Sequence, residues 1–382
     1  MDSKFLILLA ANLILFLLIR FTRKRKKLNG FITFVFSILI TLTVIEAGYR
    51  FFFKKKGLTE TGNYGGSLNT PVDLTGFTVK NIKDLHAKRI DVNGNVLYDV
   101  IYTVAPDTGF NTLPINHRMG YRINDPSRDS VEIIFLGCSF TFATGVSDTA
   151  TMAYRLGKEL QYNTLNYGSP GWGIHQAYQV FTHKYQDVPD HKKRIFVYTF
   201  IPDHLLRAKC IYTWCLNDPY FEVKNDSLEL KGAAYKNAGP AKSQVIVRLL
   251  SLNRALSFVS DIGNNIIQQN GATNVKDEDY KRGELMLSKM IETANQRGDK
   301  FIVLHWDDYI GMKNPKGGYY IDPAKMSPIM EDLKAKGATV VPVSGFFDFS
   351  SKDNLIPQDN HPSGNGNALV ARKLAEIIRG YP

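Results

Sequence analysis

Three cysteines in 382 residues, Cys138, Cys210 and Cys215, are too few for a disulfide framework, and none forms a CxxC pair with zinc spacing. Neither a cystine-stapled fold nor a structural metal is expected. Cys210 and Cys215 are close enough to pair in an oxidising compartment, and two separately buried thiols fit the same spacing. Gly171-x-Gly173 lacks the third glycine of a dinucleotide fingerprint, because position 176 is Gln, and no glycine loop runs directly into a helix as a phosphate cradle would. No internal repeat or low-complexity segment is present. A formal charge of +11 invites a nucleic-acid reading, but no basic stripe interleaved with aromatics occurs beyond residue 60. Residues 1–60 carry eleven Lys and Arg against Asp2, Glu46 and Glu60, a net of +8 out of +11, which leaves +3 for the rest. Basic residues that flank apolar runs are topology signals, so no nucleic-acid partner and no cofactor are expected.

What the chain does have is 44% hydrophobic and 12% aromatic content, ample for a packed core. Two apolar stretches open it, Phe5–Ile19 and Phe31–Ile45, which predict an N-terminal transmembrane helical hairpin over residues 1–56 with the lipid bilayer as a partner. A cleaved signal peptide is the alternative for the first run; only Lys4 precedes it, and no small-residue cleavage site follows. Arg20, Arg23, Lys24, Arg25, Lys26 and Lys27 lie between the runs, while Arg50 and Lys54–Lys56 follow the second. The tight cluster favours an internal connecting loop, which predicts a membrane-anchored protein with its main domain extracytoplasmic.

Residues 57–72 are rich in Gly, Thr and Asn and read as a tether, and Val96–Val104, preceded by Asn93-Gly94, predicts a small β layer within 57–130. From residue 131 short β-branched runs alternate with amphipathic segments. The predicted strands are Val131–Leu136, Thr164–Tyr167, Arg194–Ile201, Lys300–Trp306 and Thr339–Val343. The predicted helices are Thr149–Gln161, Ile174–Gln186, Asp277–Gln296, Pro323–Lys336 and Asn365–Arg379. This alternation predicts an α/β domain over 131–382 with a central parallel sheet, helices on both faces and chemistry at the carboxyl ends of the strands. Residues 205–275 interrupt the rhythm with a hairpin turning at Asn225-Asp226 and a helical run near Val245–Val259, an insertion that could wall a cleft.

Three segments at strand ends carry the chemistry. Gly137-Cys138-Ser139 follows the first strand, where a serine can project into a crevice or small residues can simply make a tight turn. Asn166–Gly173 (NYGSPGWG) follows the second, and its three glycines and proline expose backbone N–H groups suited to a developing oxyanion. Asp359-Asn360-His361-Pro362 precedes the last helix, with Asp359 and His361 two apart, so an extended backbone would point both side chains one way. A serine nucleophile needs a neutral imidazole in reach, and the imidazole needs an acceptor to fix its tautomer. His305, Asp307 and Asp308 after the fourth strand lack complementary ligand spacing and read as loop polarity rather than a metal site.

Together these segments resemble the SGNH, or GDSL-like, hydrolase superfamily over residues 131–382. Val131–Val146 (VEIIFLGCSFTFATGV) looks like the family's first block, Asn166–Gly173 like its second and Asp359–Pro362 like its last. The resemblance implies a flavodoxin-like three-layer α/β/α sandwich, metal-independent. It implies catalysis by Ser139, His361 and Asp359, with an oxyanion hole from the N–H groups of Ser139 and Gly168. Three positions depart from the pattern. Cys138 stands where Asp is usual in the first block. Only Asn360 separates acid and base, with Asp353 as the alternative acid. The third block, Phe200–His204, has no asparagine, which leaves His204 as either a third oxyanion donor or a hydrogen-bonded loop histidine. The implied function is a membrane-anchored serine esterase acting on an O-acylated cell-surface glycan or a lipid-linked ester. An O-acyltransferase of the same fold, or an inactive binding module, are the alternatives.

Overall fold

A computed structural model describes residues 3–49, 51, 59–62, 84–91, 93–106, 120–122, 131–187, 193–210, 218–237, 275–308 and 321–381. Cys215, the helical run near Val245–Val259 and most of the tether at 57–72 lie outside the described residues.

The N-terminal unit consists of two helices, Ser3–Phe21 and Lys26–Gly48. They pair through polar contacts inside an apolar surface. Asn12 donates to the Thr43 hydroxyl at 2.8 Å, and Asn29 donates to the Ile19 carbonyl at 2.6 Å. One of them, Lys26–Gly48, is long and apolar enough to cross a membrane; at 23 residues it spans about 35 Å. The apolar part of the first, Phe5–Phe21, is shorter.

In the second unit, an antiparallel set comes first: β1 (Thr59–Gly62), β2 (Asp84–Ile90), β3 (Val96–Pro106) and β4 (Gly120–Arg122). Then follow β5 (Val131–Gly137), β6 (Asn163–Gly168), β7 (Lys193–Phe200), the hairpin β8 (Pro219–Lys224) and β9 (Ser227–Ala233), β10 (Lys300–His305) and β11 (Thr339–Pro342). The main sheet runs β1-β2-β3-β4-β6-β5-β7-β10-β11, with β5, β6, β7, β10 and β11 parallel. Taken alone, the parallel strands have the chain order 2-1-3-4-5 of a flavodoxin-like sheet. All five sequence-predicted strands and all five predicted helices are present, with ends displaced by one to three residues.

The parallel strands form because their side chains are apolar on both faces: every residue of β7 after Lys193 is buried. The helix after β5, Met152–Leu160, packs on the C-terminal helix Gly364–Arg379, whereas Asp277–Gln296 packs on Ile174–Asp187 and on Pro323–Ala335. The chain reverses direction across the sheet after β6, and right-handed crossovers then put these two groups on opposite faces, giving three layers. Side-chain caps start several helices where expected. Thr151 accepts from Tyr154 N at 3.1 Å, Asp322 from Ala324 N at 2.9 Å and Ser363 from Gly366 N at 3.1 Å.

The upstream β segment differs from expectation. It is not a layer packed against the sheet but a continuation of it, with Arg122 of β4 pairing antiparallel to Asn166 of β6. β6 is the border of the parallel set, and its outer row of peptide groups is covered this way. The Asn225-Asp226 hairpin is as expected: both residues have positive φ (49° and 55°), the signature of a type I′ turn.

Candidate active site

The strand order reverses between β5 and β7, and in open parallel sheets the ligand crevice lies at that switch, beyond the carboxyl ends of the strands. Ser139 stands there. β5 ends at Gly137, whose φ of +147° and close approach leave no room for a side chain; a Cβ would meet the Thr141 hydroxyl at 2.3 Å. The chain turns at once into a single helical turn, Ser139–Phe142, which closes on Ala143 at φ 61°. Phe142 N donates to Cys138 O at 2.9 Å and Thr144 N to Ser139 O at 3.0 Å, so the serine is held on a tight strand–turn–helix. Cys138, beside it, is fully enclosed; burial pushes its thiol up, which keeps it protonated and out of competition as a nucleophile.

Asp359 and His361 meet, and not by way of an extended segment. Gln358 (φ 63°) and Asn360 (φ 67°) both adopt the left-handed conformation, and Asp359 N and Asn360 N both donate to Ile356 O at 3.1 Å. The resulting loop folds the Asp359 carboxylate back, so that Oδ1 bonds His361 Nδ1 and also accepts His361 N at 3.2 Å. A single intervening residue suffices because Asn tolerates this conformation. Burial alone would raise the Asp359 carboxyl, but the hydrogen bond from His361 and the charges of His361 and Arg89 bring it below its ordinary value. Asp353, the alternative acid, is exposed, and its backbone carbonyl, not its carboxylate, takes the Ser363 hydroxyl. The His361 ring lies against Phe140, the residue after the serine, with centroids 5.3 Å apart. Phe140 packs in turn edge-on to Trp306 at 4.9 Å, so an aromatic wall sets the imidazole beside the serine turn.

The second segment differs from expectation in detail. Gly168 N–H is donated to Asn166 Oδ1 at 3.0 Å, and Asn166 Nδ2 donates to Thr141 O at 2.8 Å. The glycine expected to face an oxyanion is thus tied into a clamp on the serine turn. Three residues on, Ser169-Pro170-Gly171-Trp172 forms a turn with Pro at its second position and Gly171 (φ 85°) at its third, closed by Trp172 N to Ser169 O at 3.2 Å. Gly171 N–H makes no hydrogen bond among the described residues. The turn is anchored by Arg207, which donates to Trp172 O at 2.7 Å and pairs with Asp203 at 2.6 Å.

His204 lies in the core rather than at the crevice. It is 0% exposed, with Nδ1 2.6 Å from the Tyr198 hydroxyl, and burial first, then the nearby charges of Arg207 and His175, hold it well below the usual imidazole value. Its reading as a hydrogen-bonded histidine is the one that fits. His305 ends β10 against Phe200 and is lowered by burial to about 4, with Asp307 opposing the shift. Asp307 itself accepts from Ser344 N at 2.9 Å. No cluster of three or more metal-ligating side chains occurs among the described residues.

Two buried neutral imidazoles carry a consequence for stability. Between pH 6.5 and about 4 the unfolded chain binds a proton at His305 that the folded chain does not, so stability falls as pH drops through that window. At about 1.4 kcal/mol per pH unit the loss attributable to His305 reaches about 3 kcal/mol by pH 4. Denaturant titrations at pH 7.5 and 4.5 should record most of it, and His305→Phe should shrink the difference; an unchanged difference would assign the acid sensitivity elsewhere.

The functional positions that sequence reading missed are Arg89, Asn166, Gly171 and Arg207. Gly171 stood within the glycine-rich segment, and its Pro-Gly order is a turn signal that could have marked it; the others act through contacts remote in sequence.

No protein-family profile matches the chain, and no curated protein matches it. Comparison with solved structures gives several lipolytic proteins. A member of the lipolytic G-D-S-L family from Veillonella parvula is 14% identical, with a TM-score of 0.36, covering 66% of this chain and 100% of that one. An acetyl xylan esterase is 15% identical (TM-score 0.38, 65% of this chain and 99% of that one). A GDSL-like lipase from Bacteroides thetaiotaomicron is 12% identical (TM-score 0.36, 65% and 87%).

Proposed function

We propose that this protein is a serine esterase that works by acyl transfer through Ser139, His361 and Asp359. The observation that carries the reading is the Asp359–His361 pair set against Phe140, which brings an oriented imidazole to the serine turn at the switch point of the sheet. Asp359 holds the Nδ1 proton, so Nε2 is the basic nitrogen. It takes the Ser139 hydroxyl proton as Oγ attacks the ester carbonyl, and returns it to the departing alkoxide. The acyl group rests on Ser139 until water, deprotonated by the same nitrogen, releases the acid. The tetrahedral oxyanion is received by Ser139 N–H and by Gly171 N–H, which replaces Gly168 in this role because the Gly168 N–H is donated to Asn166.

Lys26–Gly48 is assigned to a bilayer, with the preceding helix paired to it, and the basic cluster Arg23–Lys27 between them favours a cytoplasmic loop and an outward-facing catalytic unit. That location suits an ester fixed at the cell surface, on an O-acylated glycan or a lipid-linked precursor. Protease added to intact cells should digest the catalytic unit; its protection would reverse the orientation.

The test of the chemistry is covalent labelling of the full chain in detergent by a fluorophosphonate probe, which reacts with activated serines. Wild type should label, and Ser139→Ala and His361→Ala should not. A folded wild-type chain that fails to label has no activated serine, and the esterase reading is then lost in favour of a binding module.

A further inference from the structure

The catalytic carboxylate proposed above has a second partner that comes from outside the parallel domain. Arg89 Nη1 donates to Asp359 Oδ2 at 2.7 Å, across 270 residues of sequence, while Oδ1 serves His361. The Asp359 side chain is 0% exposed and that of Arg89 is 20% exposed. Each oxygen of the buried carboxylate therefore has its own cationic or N–H partner. Strand alternation explains how Arg89 reaches it. On β2, Leu85 and Ala87 are fully buried and Arg89 falls on the same face, whereas His86 and Lys88 point the other way and pair with Asp99. The neighbouring acid, Asp91, is occupied by Asn93 N and Asn95 N at 2.8 Å, by the Asn95 side chain and by Gln358.

The rest of the β2–β3 hairpin grips the other half of the site. Tyr102 accepts from Gly145 N at 2.6 Å, Thr103 N donates to Asp148 at 2.6 Å, and both Tyr98 and Ile356 press on Gly145, where a Cβ would meet them at 3.1 and 2.3 Å. One hairpin thus braces the loop after the serine and the loop that carries the acid.

We propose that Arg89 is a positioning residue of the triad, and that the β2–β3 hairpin is a working part of the catalytic unit. Arg89 keeps Oδ1 turned to His361 and shares the negative charge of Asp359. The inference rests on the esterase reading. It has no acceptor atom, so it can only bind the carboxylate in its ionised form. Removing its positive charge leaves the Asp359 charge acting undivided on the imidazole, which favours the protonated and inactive base.

The rate of fluorophosphonate labelling and the hydrolysis of p-nitrophenyl acetate by the full chain, measured across pH, test this. Arg89→Gln should move the acid limb of the rate profile up by about half a pH unit or more and lower kcat on the order of tenfold with KM little changed. Arg89→Lys keeps the charge and should hold the limb near the wild-type position while recovering part of kcat. An Arg89→Gln enzyme with wild-type limb and kcat overturns the proposal, as does an Arg89→Lys enzyme whose limb moves as far as that of Arg89→Gln. If Arg89→Gln fails to fold, Arg89→Lys decides by its limb alone. The two readings fail separately: unlabelled wild type removes the esterase, whereas labelled wild type with an indifferent Arg89 removes only this role.

Discussion

Asp359→Asn should lower kcat for an ester substrate by about 10³- to 10⁴-fold while leaving the fold intact. The reason is a choice of orientation that Arg89 imposes. An asparagine side chain has one carbonyl oxygen and one amide, and the guanidinium at 2.7 Å can accept only the oxygen as its partner. The amide is then turned to His361 Nδ1, which must accept rather than donate. The proton moves to Nε2, the atom that should take the hydroxyl proton of Ser139, and the base is lost although every distance survives. Turnover of p-nitrophenyl acetate is the measurement. Activity near that of wild type would return the acid role to Asp353, the residue that the sequence left as an alternative.

The same substitution separates what could be read along the chain from what could not. The five parallel strands are legible because burial on both faces demands uninterrupted apolar runs, as in Arg194–Phe200, and their helices because amphipathic spacing and caps such as Thr151 and Ser363 mark them. Ser139, Asp359 and His361 are legible because each follows a strand or precedes a helix in a parallel domain. The loop that joins acid to base is not. Asp359 and His361 suggest an extended arrangement by their spacing, whereas the left-handed Gln358 and Asn360 fold the segment into a turn. Gly168 and Gly171 are indistinguishable as residue types, and only the Asn166 side chain decides which N–H is already engaged.

Arg89 occupies a middle position. Its contact with Asp359 has no local signal, yet a basic residue on the buried face of an alternating strand is itself an anomaly in DLHAKRI, beside Leu85 and Ala87. Such a charge has to find a counter-charge inside, and the only question is where. The continuation of the sheet through β4 and β6 brings that strand to the triad, so the upstream segment and the parallel domain share one site.

Gly168→Ala should be the most disruptive small substitution in the molecule outside the triad. A Cβ there would lie 2.3 Å from Phe142 N and 2.6 Å from Thr141 Cβ, and the first of these is backbone. A flexible side chain could yield, but a helical turn pinned by Phe142 N to Cys138 O and by Asn166 to Thr141 O cannot yield without carrying Ser139 with it. Overpacking of this kind costs about 1–3 kcal/mol. A nucleophile displaced by about 1 Å loses on the order of 10²-fold in rate. The expected result is therefore a folded, less stable enzyme whose labelling by fluorophosphonate slows on the order of a hundredfold, more than its loss of stability explains. Gly345→Ala, where a Cβ meets nothing within 4 Å, is the matched control and should leave both quantities unchanged. Equal labelling rates in the two variants would mean that the serine turn is not braced by β6, and that the close contact at Gly168 serves packing alone.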